Sequence, residues 1–113
     1  MDIDKNIHEK LQELQLIEQN VQNFSLQKQA FQIELNETTS ALEETEKSSG
    51  DIYKIVGQVM VKTEKEDILN DMREKQKILN LRINAIEKQE KILREKLDSI
   101  KEELEAKFKT KKK

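Results

Sequence analysis

Acid–base or metal chemistry in this chain would have to be assembled from very little. His8 is the single histidine, cysteine is absent, and carboxylates stand side by side at Glu43–Glu44 and Glu102–Glu103. A metal site needs ligands that converge, and paired hydrolytic carboxylates need a cleft around them. His8 instead follows Ile7 in a stretch free of helix breakers, and no glycine-rich phosphate loop accompanies it. The carboxylates read as solvated helix faces. The sequence therefore names no catalytic residue, metal ligand or cofactor, and predicts a protein that is not an enzyme.

Adhesive chemistry is better supplied. Between two long polar stretches lies Ile52-Tyr53-Lys54-Ile55-Val56-Gly57-Gln58-Val59-Met60-Val61, in which all but Lys54, Gly57 and Gln58 are apolar or aromatic. Gly57-Gln58 suits a two-residue turn that takes Gly first, and such a turn sets Val56 opposite Val59, Ile55 opposite Met60 and Lys54 opposite Val61. One face of this β-hairpin then carries Ile52, Val56, Val59 and Val61 with Lys54; the other carries Tyr53, Ile55 and Met60. An isolated two-stranded hairpin is marginal in water, and both of its edges leave backbone donors and acceptors unpaired. Each branched side chain gains ~1.5 to 3 kcal/mol when fully buried, more than one end of a thin helix pair can provide for so many. Ile52, Tyr53, Ile55, Val56, Gly57, Val59, Met60 and Val61 are thus expected to form an oligomerisation site, with hairpins of several chains closing edge to edge into a β-barrel platform.

The elements that position this ribbon follow from what the chain lacks. There is no Pro and there are two Gly in 113 residues, Gly50 and Gly57, both near the midpoint. Long helices should flank one central joint. In the first arm, alternating steps of three and four residues give Ile3, Ile7, Lys10, Leu14, Ile17, Val21, Phe24, Lys28, Phe31, Leu35, Thr38, Leu42 and Thr45. In the second they give Leu69, Met72, Gln76, Leu79, Ile83, Ile86, Glu90, Leu93, Leu97, Ile100, Leu104 and Lys107. Both are mostly apolar a/d seams on otherwise polar helices.

Thr63 with Glu66 forms a capping-box pattern, so the second helix should begin near Glu64. With helices expected over residues 1–47 and 64–108, the stretches 3–47 and 64–108 are equal in length, as a hairpin of helices requires. Residues whose numbers add to about 111 should then lie level, Ile7 with Leu104 and Leu42 with Leu69. The fold class expected is mainly α: a long antiparallel two-helix coiled coil with a single β-hairpin at the joint, one domain over residues 1–113. Lys10, Lys28, Gln76, Glu90 and Lys107 interrupt the seam, and either their stems reach to water or they fix the register. Leu11, Leu16, Leu26, Ile33, Ile78, Leu81 and Ile92 lie off it, where each is either an ordinary exposed apolar residue or a contact for another chain.

A second adhesive candidate lies at the ends of the arms, where a helix pair frays. Ile3, Ile7, Leu11, Leu97, Ile100, Leu104 and Phe108 could hold unfolded chains through weak apolar contacts, or could simply zip the coiled coil shut. Beyond them runs a basic tail with Lys109, Lys111, Lys112 and Lys113, which suits a helix C-terminus and solubility and could also meet an acidic partner.

Other function classes find little support. Lys plus Arg number 21 against 23 Asp plus Glu, a formal net charge of -2, and the two signs are interleaved, so a nucleic-acid partner is not expected. No apolar run approaches the ~20 residues of a membrane span, and Met1-Asp2-Ile3-Asp4 does not read as a signal peptide. The expectation is a soluble, cytoplasmic protein with neither nucleic acid nor membrane as partner.

The order of long helix, Tyr53-Lys54-x-x-Gly57-x-x-Met60-Val61-Lys62, then long helix resembles the beta subunits of prefoldin, of the archaeal type in particular. Leu79-x-Leu81-Arg82-Ile83-x-x-Ile86-Glu87-Lys88-Gln89-Glu90 supports the resemblance, which covers essentially the whole chain. It implies an ATP-independent chaperone, a hexamer of two alpha and four beta subunits joined through their hairpins, that captures unfolded polypeptides at coiled-coil tips and delivers them to a group II chaperonin. Residues 109 to 113 would then be candidates for docking on that chaperonin. The alternative is a homo-oligomeric coiled-coil tether or scaffold without affinity for unfolded protein.

Overall fold

The computed structural model describes the chain over residues 2–111, with side chains over residues 5–109. Four elements follow one another: α1 (Asp2–Lys47), β1 (Ile52–Val56), β2 (Val59–Thr63) and α2 (Lys65–Lys111). The chain divides into two compact units, one formed by residues 1–28 and 85–113 and the other by residues 29–84. In each unit a stretch of α1 packs antiparallel on a stretch of α2.

The first unit is held by a cluster of Ile7, Ile17, Val21, Leu97, Ile100 and Leu104, with Leu14 and Leu93 packed on it. In the second unit Leu69, Leu79 and Ile83 are buried, together with Thr38. Thr38 tolerates this position because its hydroxyl donates back to the Glu34 carbonyl at 2.8 Å, leaving no unpaired polar atom in the seam. Every seam residue with a described side chain is buried or half-buried. All seven off-seam apolar residues are exposed. Spacing alone separated the two sets, because a 3.5-residue repeat keeps one stripe on the partner helix.

The polar seam residues pair across the helices. Lys28 donates to Glu90 at 3.2 Å, and Glu90 is only 8% exposed. Arg94 stands 3.6 Å from the other oxygen of the same carboxylate. Gln76 donates to the Thr39 hydroxyl at 3.0 Å, and Lys10 pairs with Glu103 at 3.3 Å. The numbers of these partners add to 118, 115 and 113, a little above the 111 expected from equal arms. Long side chains lean along the axis by part of a turn, which accounts for the spread.

At the joint, α1 closes with a tighter bond from the Ser48 amide to the Thr45 carbonyl. Lys65, the first residue of α2, then donates from Nζ to the carbonyls of Glu46 and Ser48, both at 2.9 Å. Carbonyls at a helix end have no partner within the helix, so one ammonium satisfies two backbone groups and ties the start of α2 to the end of α1. The expected capping role of Thr63 does not materialise. Thr63 is the last residue of β2, paired with Ile52, and the Glu64 carbonyl accepts the first helical bond from Ile68. Ladder pairing took the residue that the capping pattern would have used.

The Lys28–Glu90 layer carries a consequence for stability. Glu90→Ala should cost about 1 to 2 kcal/mol, because it strands the half-buried Lys28 ammonium. The double change Lys28→Leu with Glu90→Leu should leave stability unchanged or raise it, since an apolar layer avoids desolvating two charges. Thermal denaturation followed by helical circular dichroism at fixed protein concentration distinguishes the two outcomes; a double variant less stable than Glu90→Ala would show that the pair stabilises more than it specifies.

Candidate functional site

The hairpin adopts the register set by its turn residues: Ile52 faces Thr63, Tyr53 faces Lys62, Lys54 faces Val61, Ile55 faces Met60 and Val56 faces Val59. Gly57 takes φ +63° and Gln58 does not follow it into the left-handed region, the pattern of a two-residue turn with glycine first. Nothing lies within 4 Å of where a Gly57 side chain would begin, so the glycine is there for its backbone angle and not for space.

Cross-strand partners share a face. Ile52, Lys54, Val56, Val59, Val61 and Thr63 therefore lie on one side of the ribbon, and Tyr53, Ile55, Met60 and Lys62 on the other. Neither face is covered. Ile55 is 72% exposed, Met60 66%, Val59 61% and Val56 55%, with Tyr53 and Val61 also open and Ile52 half-buried. The sheet has two strands, so each strand is an edge. The polar contact at the ribbon's base, Lys62 to Asp51 at 3.5 Å, is between exposed groups and adds little.

The two adhesive candidates differ sharply in exposure. At the N-terminal end of α1 and the C-terminal end of α2, Ile7, Leu97, Ile100 and Leu104 are buried between the helices, whereas Leu11 and Phe108 are exposed at 41% and 45%. Ile3 lies outside the residues whose side chains are described. Lys109 is exposed; α2 runs on through Lys111, whose side chain, with Lys112 and Lys113, lies outside the described set. A partner seeking the four buried residues must part the helices, while Leu11 and Phe108 stand ready.

Several residues matter here that periodicity did not single out. Ile68 is buried beside Leu69, an adjacent apolar doublet at the root of α2. Lys65 bridges the joint, and the Arg82 guanidinium sits 5.7 Å from the centre of the Phe31 ring. The Ile68-Leu69 doublet was visible as a widened seam; the other two depend on which residues the antiparallel alignment brings level.

The remaining chemistry is sparse. His8 is exposed, and its ring Nε2 stands 3.4 Å from the side-chain nitrogen of Gln12. Among the described residues no group of three or more His, Cys, Asp or Glu could hold a metal ion, and no helix is long and apolar enough to cross a membrane.

Comparison with known proteins agrees with this geometry. A family model described as "Prefoldin subunit" matches residues 8–111. The prefoldin subunit beta of Thermococcus gammatolerans is 42% identical over 109 residues, covering 95% of this chain and 93% of that one. That of Pyrococcus furiosus is 41% identical over 98 residues, covering 85% of this chain and 84% of the relative. The crystal structure of the prefoldin beta subunit from Thermococcus strain KS-1 superposes with a TM-score of 0.85 at 36% identity, over 89% of this chain and 90% of that one. The prefoldin beta2 subunit of the same strain shares the fold at 18% identity, with a TM-score of 0.69 over 77% of this chain and 95% of that one.

Proposed function

This chain belongs to the prefoldin subunit family, and on that premise we propose that it is a beta-type subunit of an ATP-independent chaperone. In this reading two alpha and four beta subunits join through their hairpins into a β-barrel platform. The helix ends hold unfolded polypeptides and pass them to a group II chaperonin. Each chain contributes one hairpin, and the coiled coil needs no second chain to close its own seam.

The observation that carries the reading is the uncovered hairpin: Ile55, Val56, Val59 and Met60 are each more than half exposed on a ribbon with two open edges. Edge-to-edge joining supplies the missing backbone bonds and gives at least one apolar face an interior. A closed barrel leaves no edge free for aggregation. Holding without hydrolysis suits helix ends that present apolar side chains such as Leu11 and Phe108. Contacts at Leu11 and Phe108 would be individually weak, which allows many different chains to bind and leave. Exposed Lys109, with Lys111, Lys112 and Lys113 beyond it, would meet acidic surface on the chaperonin. A cytoplasmic location fits an acceptor of that kind.

Mixing this chain with a prefoldin alpha subunit should give a defined hexamer that suppresses aggregation of a guanidine-unfolded test protein without nucleotide. A stable assembly without that activity would favour the scaffold reading. Val59→Asp should prevent assembly while leaving helical content near that of the parent, because it places a carboxylate in the shared sheet and not in the helix seam. Light scattering with circular dichroism checks both, and a persistent hexamer would contradict the barrel. Deleting residues 109 to 113 should weaken chaperonin binding and flatten its salt dependence. Unchanged affinity and unchanged salt response would remove the tail from the docking surface.

A further inference from the structure

The two edges of the hairpin are not equivalent. Val56 and Val59 flank a two-residue turn and so exchange backbone bonds with each other, as do Lys54 with Val61 and Ile52 with Thr63. The backbone groups of Tyr53 and Ile55 on β1, and of Met60 and Lys62 on β2, therefore point outward, toward any strand that would join. Lys54 stands at the centre of the five-residue β1, exposed, on the face it shares with Ile52 and Val56. Among the described residues no carboxylate pairs with it, whereas Lys62 stands 3.5 Å from Asp51. The positive charge on the β1 edge is left without a counter-ion in its own chain.

Two copies can join antiparallel in three ways, and the outward backbone groups fix which side chains meet in each. When β1 meets β1 of a second copy, a two-fold axis relates them. Full overlap of the strands then sets Ile52 opposite Val56, Tyr53 opposite Ile55 and Lys54 opposite Lys54. The lysines form a pair with no backbone bond between them, the kind in which side chains stand closest, with Cα atoms ~4.5 Å apart. Like charges so placed oppose pairing. Moving the axis to Tyr53 or Ile55 parts the lysines but leaves only residues 52–54 or 54–56 in the overlap. When β2 meets β1 of the next copy head to tail, Lys54 faces Val59, Val61 or Thr63 at any stagger that keeps it on β2, because those residues share its face. No lysine meets a lysine there. When β2 meets β2 in full overlap, Val61 faces Val61 and Met60 faces Lys62.

Barring one junction has a consequence for the others. In a ring closed from copies of this hairpin, each gives one β1 and one β2 edge, so every β2–β2 junction needs a β1–β1 junction to balance it. A ring without the second kind is also without the first, and all its junctions run head to tail. All turns then lie at one end of the barrel, and all helix pairs leave from the other. We propose that Lys54 bars the β1 edge from the β1 edge of another copy and leaves it to a β2 edge, so that this one residue sets the direction in which hairpins join. The inference rests on the edge-to-edge assembly proposed above and adds to it which edge meets which.

The chain has no cysteine, so an introduced pair reports one junction. One full-length chain carries Tyr53→Cys and a second carries Ile55→Cys. Only β1–β1 pairing sets these positions opposite each other, at a Cα separation of ~5.5 Å that a disulfide can span. Equal mixtures of the two are oxidised at low salt, and the mixed disulfide dimer is quantified by mass. Four mixtures are compared: the parent lysine in both chains, Lys54→Val in both, Lys54→Glu in both, and Lys54→Glu in one chain alone. Lys54→Val in both should raise the yield of mixed dimer about fivefold over the parent lysine. Lys54→Glu in one chain alone should give more mixed dimer than either like-charged mixture, with the gain fading as salt rises. A parent yield equal to that of Lys54→Val, or no gain from opposite charges, overturns the inference, and so does the absence of mixed dimer from all four mixtures. Each of those results leaves edge-to-edge assembly standing. Failure of the parent chain to form a hexamer with an alpha subunit overturns that assembly itself, and the inference with it.

Discussion

The constraint behind the rest is a ribbon, residues 52–63, that the described residues of the chain leave largely uncovered. Among the described residues the two strands pair only with each other, and apolar residues on both faces are exposed. Burying a single such side chain is worth ~1.5 to 3 kcal/mol, and several stand together here. That sum is comparable with the whole stability of a small domain. On the function proposed above, hairpins of other chains supply the missing cover, and the long helices are the working parts that such a platform would hold.

The helices solve a different problem. Their seam must keep one register over many turns, although Leu and Ile would pack nearly as well after a slip of one repeat. Polar layers remove that freedom. Lys28 finds Glu90, and Gln76 finds Thr39, only in the observed alignment. Lys65 performs a related task at the joint, where its ammonium occupies two carbonyls at the end of α1 and so sets where α2 begins. Each of these contacts pairs residues that a shifted alignment would separate.

The helices, the hairpin, its register and its turn could be read from residue types, because period and turn chemistry are local properties of the chain. The separation of seam from surface followed for the same reason, down to exposed Leu26 and Leu81. Thr63 shows where local reading fails: the residue fits both a helix cap and a strand end, and pairing with Ile52 decided between them. Lys65 and the Arg82–Phe31 contact were hidden because they depend on which residues of α1 and α2 stand level. At the helix ends the same spacing decided which apolar residues are available, Phe108 standing beside the seam residue Lys107 and not on the seam. Ile7 and Leu104 turn inward while Leu11 and Phe108, one turn further along each helix, remain at the surface.

Amide hydrogen exchange of residues 52–63, measured on the chain alone and again after assembly with an alpha subunit, bears most directly on the dependence of the ribbon on other chains. Rapid exchange across the hairpin in the isolated chain, with strong protection of those same amides in the complex, is the result expected. A lone monomer whose hairpin amides are already protected would contradict it.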